Sequence, residues 1–276
     1  MTNTRDLFNL KGRIAIITGG AGLLGTKHAE AIAEFEGMPV IIDINQVKID
    51  SVVKDLKEKY NVDASGYFCD ITKKENIETV RDSVLKKYGH IDILINNAAI
   101  DPKVKSDATV NLSRFENFLL DQWNLEVAVG LSGAMLCSQV FGAQMAKQNY
   151  GVILNISSDL GIIAPDQRLY KKTGLADDQQ PVKPVTYSVI KHGLIGLTKY
   201  LATYWAGQGV RANTLCPGGV FNNQPDEFVQ KISNLIPMAR MAQKDELKGA
   251  IIYLISDASS YLNGATLIVD GGRSVL

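Results

Sequence analysis

Residues 13–25 read RIAIITGGAGLLG. A short apolar, β-like run passes into Thr18, and Gly20-x-Gly22-x-x-Gly25 then opens a segment, AGLLGTKHAEAIAEFEG (21–37), whose pattern is helical. Glycines tighten the turn and let the backbone approach a pyrophosphate, while the helix N-terminus offers N–H groups and positive potential. A glycine-rich turn can also simply join a strand to a helix. The next β-like run, PVIID (39–43), weighs against that reading, because it ends in Asp43, 18 residues after Gly25. An acid at that point accepts hydrogen bonds from ribose hydroxyls and repels a 2′-phosphate. No Arg or Lys lies between Thr18 and Gly25 to offset the repulsion. These features predict NAD as the cofactor.

The rhythm continues outward. ASGYFC (64–69), IDILI (91–95), VILNIS (152–157), VRANTLC (210–216) and ATLIV (265–269) are further strand candidates, apolar on both faces as in a covered parallel sheet. Helical patterns such as QVKIDSVVKDLKEKY, KENIETVRDSVLKKY and SVIKHGLIGLTKYLATYWAGQ fill the gaps. The expected fold is α/β: a single doubly wound Rossmann sheet of seven parallel strands with helices on both faces, one domain over 1–276. Two stretches break the rhythm, 160–186 (LGIIAPDQRLYKKTGLADDQQPVKPVT) and 217–228 (PGGVFNNQPDEF). A loop as long as the first is uncommon in a compact domain and is expected to be functional.

Composition narrows the class. With 29 basic and 29 acidic residues the formal charge is zero, so neither a nucleic-acid footprint nor a polybasic membrane patch is expected. No stretch approaches 18 continuous apolar residues, and the N-terminus lacks a signal-peptide pattern, so the expected setting is cytoplasmic, off the membrane. Cys69, Cys137 and Cys216 are dispersed in apolar runs; they suit buried thiols, not disulfides or a metal site.

The catalytic candidates lie in the second half. Tyr187-Ser188-Val189-Ile190-Lys191 opens a helical segment, and residues at i and i+4 share a face. A lysine ammonium near a phenol favours the phenolate, which can take a proton from an alcohol or return it to a ketone. Such a spacing also occurs as an ordinary surface pair. Asn155-Ile156-Ser157-Ser158 ends the fifth strand candidate, at the sheet edge where ligands of open α/β sheets bind.

The glycine turn, Asp43, Cys69-Asp70-Ile71-Thr72, Asn96-Asn97-Ala98-Ala99, Ser158, Tyr187/Lys191, Pro217-Gly218-Gly219-Val220 and Val269-Asp270-Gly271-Gly272 occur in one order over the whole chain. In that order the chain resembles the short-chain dehydrogenase/reductases of the compact branch. The resemblance implies that Tyr187 is the acid/base, that Ser158 positions the substrate oxygen, and that Lys191 bonds the nicotinamide ribose. It implies cofactor contacts from Gly19, Gly22, Leu24, Gly25, Asp43, Asp70, Ile71, Asn97, Tyr187, Lys191 and Val220. It also implies a homo-oligomer, tetramer or dimer, for which the small residues of the Trp123–Met145 segment (Gly130, Gly133, Ala134, Gly142, Ala143) offer close packing, on a partner or on the chain's own sheet.

Departures from the family pattern refine this. The turn is TGxxGxxG, with Leu23 where the family usually has Gly, a form similar to sugar-nucleotide enzymes. Where many members carry a proton-relay asparagine, seven residues after Trp123, this chain has Gly130. Asparagine placed there is expected to change activity by no more than about tenfold, about 1.4 kcal/mol. Ser158 and Tyr187 are 29 residues apart, against about a dozen in the family, and the excess is the 160–186 stretch. With TGGAGLLG and VAVGLSGAMLCSQVFG, that insertion makes the chain look most like oxidoreductases of flagellin-modification and nonulosonic-acid sugar pathways. Arg168, Tyr170, Lys171 and Lys172 in the insertion suit phosphate contacts and stacking on a small-molecule substrate. The expected activity is NAD-dependent hydride transfer on a secondary alcohol or ketone of a sugar derivative. The alternatives are a polyol, keto-acid or 3-oxoacyl reductase, or a dinucleotide-sensing protein with weakened catalysis.

Overall fold

The computed structural model describes residues 3–100 and 111–276. Strands β1 (Ile14–Thr18), β2 (Met38–Asp43), β3 (Ser65–Phe68), β4 (Ile93–Asn96), β5 (Gly151–Ile156), β6 (Val210–Pro217) and β7 (Thr266–Val269) form one parallel sheet in the order β3-β2-β1-β4-β5-β6-β7. The inner strands β1, β2, β4, β5 and β6 are covered on both faces and read as apolar runs, whereas the edge strands β3 and β7 are only part-buried and leave Phe68 and Ile268 exposed. On one face Ala15, Ile17, Ile41, Ile95 and Leu154 pack under α1 (Leu23–Glu34), α2 (Gln46–Tyr60) and α7 (Lys248–Ile255). On the other, Ile14, Ile16, Ile42, Leu94 and Ile153 meet α3 (Lys74–Tyr88), α4 (Leu120–Gln148) and α5 (Val185–Tyr204). A short α6 (Asp226–Ser233) follows β6.

Among the described residues α4 alone is long enough, and apolar enough on average, to cross a membrane, although it holds no unbroken apolar run of that length. Its Cys137, Val140, Phe141 and Met145 are buried against the sheet. It carries two π-helical turns, Ala128–Ser132 and Ser138–Gly142. The three glycines of this helix face inward: a β-carbon on Gly130, Gly133 or Gly142 would stand 2.5–2.8 Å from Ile190, Ile71 and Trp205 respectively. Their close packing is therefore spent within the chain.

One line of polar groups crosses this second core at the C-terminal ends of three strands. Asn96 Nδ2 donates to Asn155 Oδ1 (2.8 Å), Asn155 Nδ2 to Thr198 Oγ1 (2.7 Å), and Thr214 Oγ1 to Thr198 Oγ1 (2.6 Å). All four side chains are buried and the three hydrogen bonds close inside the core, while Asn96 Oδ1 has no partner among the described residues.

Candidate active site

The sheet order reverses between β1 and β4, and ligands of such sheets bind at that point, beyond the C-terminal strand ends. A cleft of about 490 Å³ opens there. Its cofactor-side wall includes Gly19, Gly22, Leu24, Asp43, Asn97 and Val220. Gly19 has φ +58°, and a β-carbon on it would lie 2.9 Å from Ala98 Cα. Gly25 stands behind the wall, where a β-carbon would lie 2.2 Å from Gly19 O; only glycine lets α1 start this close to the turn. Asp43 sits at the end of β2, accepting from Ile44 N (2.8 Å) and reaching the turn at Ala21 N (3.3 Å).

Asn97 has a role the sequence did not disclose. Its side-chain amide donates to Thr18 O (3.0 Å) and Gly19 O (3.1 Å), while its backbone N–H donates to Thr18 Oγ1 (2.9 Å). It staples the glycine turn to the end of β4. Asp70 and Ile71 lie outside the cleft wall. Asp70 caps its own turn through Thr72 N (3.0 Å) and Thr72 Oγ1 (2.7 Å), and Ile71 is buried against Gly133. The three thiols are buried, and burial pushes Cys69 up to about 11 and holds Cys137 and Cys216 above the ordinary thiol value, so none is poised as a nucleophile. No cluster of potential metal ligands occurs among the described residues.

Ser158, Tyr187 and Lys191 meet in the same cleft. Ser158 follows the end of β5, and Tyr187 and Lys191 lie one turn apart on α5. Lys191 is buried; its Nζ donates to Ile156 O (2.8 Å) and stands 5.7 Å from the Tyr187 ring centroid. The start of α5 is fixed from α4: Thr186 Oγ1 donates to the buried carboxylate of Glu126. A second ammonium, Lys183 Nζ, lies 3.9 Å over the Tyr187 ring. The spacing Lys183-x-x-x-Tyr187-x-x-x-Lys191 held this signal, and the sequence reading used only its second half.

The insertion is packed, not open. Gln180 is buried and binds Lys172 N (2.8 Å), Lys172 O (3.0 Å) and Leu175 O (2.8 Å), closing a compact loop. Leu169 joins Ile232, Ile236 and Met241 in a small apolar cluster. Tyr170 lies 5.9 Å from Phe228, ring to ring, and both line the cleft. The basic residues grouped with Tyr170 in the sequence are not brought to the wall. The Arg168 side chain is 82% exposed and pairs with Asp166 (2.7 Å), and Lys171 pairs with Asp177 (3.5 Å). Lys172 is exposed beside it. An Asp-x-Arg pair closes locally and turns the guanidinium outward. The positive groups that do line the substrate side are Lys183 and Arg273, neither of which the sequence reading named.

Gly130 is buried in the first π-turn of α4 and brings no side chain to the cleft.

A family profile described as enoyl-(acyl carrier protein) reductase matches residues 20–274. The chain is 30% identical to D-threitol dehydrogenase of Mycolicibacterium smegmatis, with both chains wholly covered. It is 32% identical to the NADP-dependent mannitol dehydrogenase of Alternaria alternata (99% and 97% covered) and 29% identical to post-translational flagellin modification protein A of Campylobacter coli (95% and 98%). Among solved structures it resembles a gluconate 5-dehydrogenase of Burkholderia cenocepacia in complex with NADP and tartrate, at a TM-score of 0.85 and 29% identity, covering 99% of this chain and 100% of that one.

Proposed function

The chain belongs to the short-chain dehydrogenase/reductase family, and from that premise we propose that it is an NAD-dependent oxidoreductase of a secondary alcohol or ketone on a sugar, polyol or related small molecule. The observation that carries the reading is the meeting of Ser158, Tyr187 and Lys191 in the cleft that the glycine turn also lines. The chain fits the cofactor: a β-carbon would fill the cradle at Gly19, and the Asp43 carboxylate stands where ribose hydroxyls would donate to it. Relatives are named for both cofactors, so the preference for NAD rests on Asp43 and on the lack of a cation in residues 18–25.

Bound nicotinamide supplies hydride transfer. The protein's part is to move the proton and hold the geometry. Tyr187 takes the hydroxyl proton during oxidation and returns it during reduction, with the Lys191 and Lys183 ammoniums favouring its phenolate. Ser158 holds the reacting oxygen, and Lys191, anchored on Ile156 O, stands ready for the nicotinamide ribose.

A flagellin-glycan or nonulosonate precursor is one substrate within this class, supported by the flagellin-modification relative; several relatives carry polyol names instead. We read the protein as soluble and cytoplasmic. A homo-oligomer is supported by apolar side chains left exposed on α4 and α5, among them Leu125, Met135, Tyr200 and Tyr204. The test is to mix the protein with NAD or NADP and a panel of polyols, sugars and sugar acids and to follow reduced-cofactor absorbance. Turnover with NAD on polyhydroxylated alcohols is expected; none with either cofactor would overturn the reading.

A further inference from the structure

Ser158 is not alone at the end of β5. Its Oγ donates to Asp159 Oδ1 (2.8 Å) and accepts from Leu160 N (3.2 Å). The direction follows from chemistry: an ionised carboxylate only accepts and a backbone N–H only donates. Asp159 Oδ1 also accepts from Leu160 N (2.8 Å), and Asp159 Oδ2 accepts from Arg273 Nη1 (2.7 Å). Asp159 and Arg273 are 3% and 8% exposed, yet both line the cleft. Among the described residues the Arg273 guanidinium donates to Asp159 only. Because Arg273 lines the cleft, its remaining N–H groups are available to a bound molecule there.

This arrangement sets a condition on the substrate. To hold the reacting oxygen while Tyr187 handles the hydroxyl proton, Ser158 must turn its own proton away from Asp159. A mono-alcohol leaves that buried carboxylate one hydrogen bond short, which is costly for a charged group. A substrate with a second hydroxyl beside the reacting carbon can donate that hydroxyl to the vacated Asp159 oxygen, and Arg273 can donate to the same hydroxyl's lone pair.

We propose that the buried Asp159–Arg273 pair is the subsite that reads a second hydroxyl, vicinal to the one being oxidised, and so selects vicinal diols over mono-alcohols. This rests on the oxidoreductase reading above and deepens it. No covalent bond is made or broken at the pair: one hydrogen bond, Ser158 to Asp159, is given up, and two form, Ser158 to the reacting oxygen and substrate hydroxyl to Asp159, so that the carboxylate keeps its number of donors. Asp159 and Arg273 are specificity residues for the non-reacting hydroxyl.

The test compares kcat/KM for butane-2,3-diol and butan-2-ol, a pair matched in carbon chain. The wild type should prefer the diol by roughly ten- to hundredfold, the cost of one unmet hydrogen bond to a buried charge. Removing either charge alone strands the other, so the informative variant is Asp159→Leu with Arg273→Met. It should still turn over butan-2-ol while the diol preference falls to near unity. Arg273→Lys, which keeps the charge and loses the fork, is the second variant should the double change unfold, and it should lower the diol preference, read as the ratio of the two kcat/KM values. A preference retained in an active variant, or absent from the wild type, overturns the subsite and leaves the oxidoreductase reading standing. No turnover of the diol by a wild type that oxidises members of the polyol and sugar panel also overturns the subsite alone; no turnover of the panel or of either alcohol, with NAD or NADP, overturns both.

Discussion

Gly130 lies so close under Ile190 that a β-carbon on it would stand 2.8 Å from Ile190 Cγ2. Ile190 is β-branched, stiff at χ1, 6% exposed, and next to Lys191. The position that looked in the sequence like a missing relay residue is thus a packing contact between α4 and α5.

Gly130→Ala is accordingly expected to destabilise the fold by about 1–3 kcal/mol, the usual cost of overpacking. Gly130→Asn should cost at least as much and should displace α5, so activity falls by more than the tenfold expected from sequence. Thermal melts and kcat of the two variants check this; Gly130→Asn with wild-type stability and activity would refute it.

His28 provides a pH signature. It is 1% exposed on α1, and neither ring nitrogen makes a hydrogen bond. Burial pushes it down to about 4, outweighing the opposing pull of the Asn97 side chain. The folded imidazole stays neutral where the unfolded one, near 6.5, takes up a proton. No penalty exists above pH 6.5. Stability is lost as pH falls from about 6.5 to about 4, in total by roughly 3 kcal/mol. His28→Met should flatten that part of a denaturation-against-pH curve relative to wild type, and parallel curves would disprove the assignment.

Tyr187→Phe should lower kcat by roughly 100- to 10,000-fold and leave cofactor binding intact, since the ring packing is kept and only the proton carrier is lost. Lys191→Met should damage both, because its ammonium stands by the phenol and is the group proposed above to meet the nicotinamide ribose. Cofactor titration by fluorescence beside steady-state kinetics separates the two. Near-normal kcat in Tyr187→Phe would end the mechanism.

Asp43→Ala should weaken NAD and narrow the gap to NADP, by removing an acceptor from one and a repulsion from the other. The ratio of kcat/KM values for the two cofactors measures this. Equal use of both by the wild type would show that Asp43 does not set the preference.

Replacing Arg168, Lys171 and Lys172 together by Ala should leave substrate KM within about twofold, since surface changes away from the site are near neutral. Tyr170→Ala, on the cleft wall beside Phe228, should raise KM. The opposite pattern would mean that the charged tip folds over the substrate after all.

What could be read from the sequence was what is local. Asp43 at the end of β2 and the paired Tyr187 and Lys191 on one helix face follow from periods of two and 3.6 residues. What could not be read was tertiary. Asp159 and Arg273 are 114 residues apart, and nothing in either segment announces the other. The partners of Gly130, Gly133 and Gly142 are set by how α4 lies on its neighbours, and its π-turns break the period by which a face would be assigned. Arg168 was misplaced by composition: a cluster of cations suggested an anion, while Asp166, two residues earlier, already satisfied it.

The buried line Asn96–Asn155–Thr198–Thr214 bears on how the chain avoids mispairing. Apolar strands such as these would bury nearly as much surface one residue out of step, so hydrophobicity alone discriminates poorly between alignments. A slip of one residue turns every side chain to the opposite face. It would carry Asn155 away from Thr198 and leave amides and hydroxyls stranded in hydrocarbon, each at about 1–3 kcal/mol. The four polar groups thus act as a proofreading device for β4, β5 and β6, rejecting misaligned sheets more than they strengthen the right one. An engineered core that replaced all four with aliphatic residues would gain tolerance and lose that discrimination.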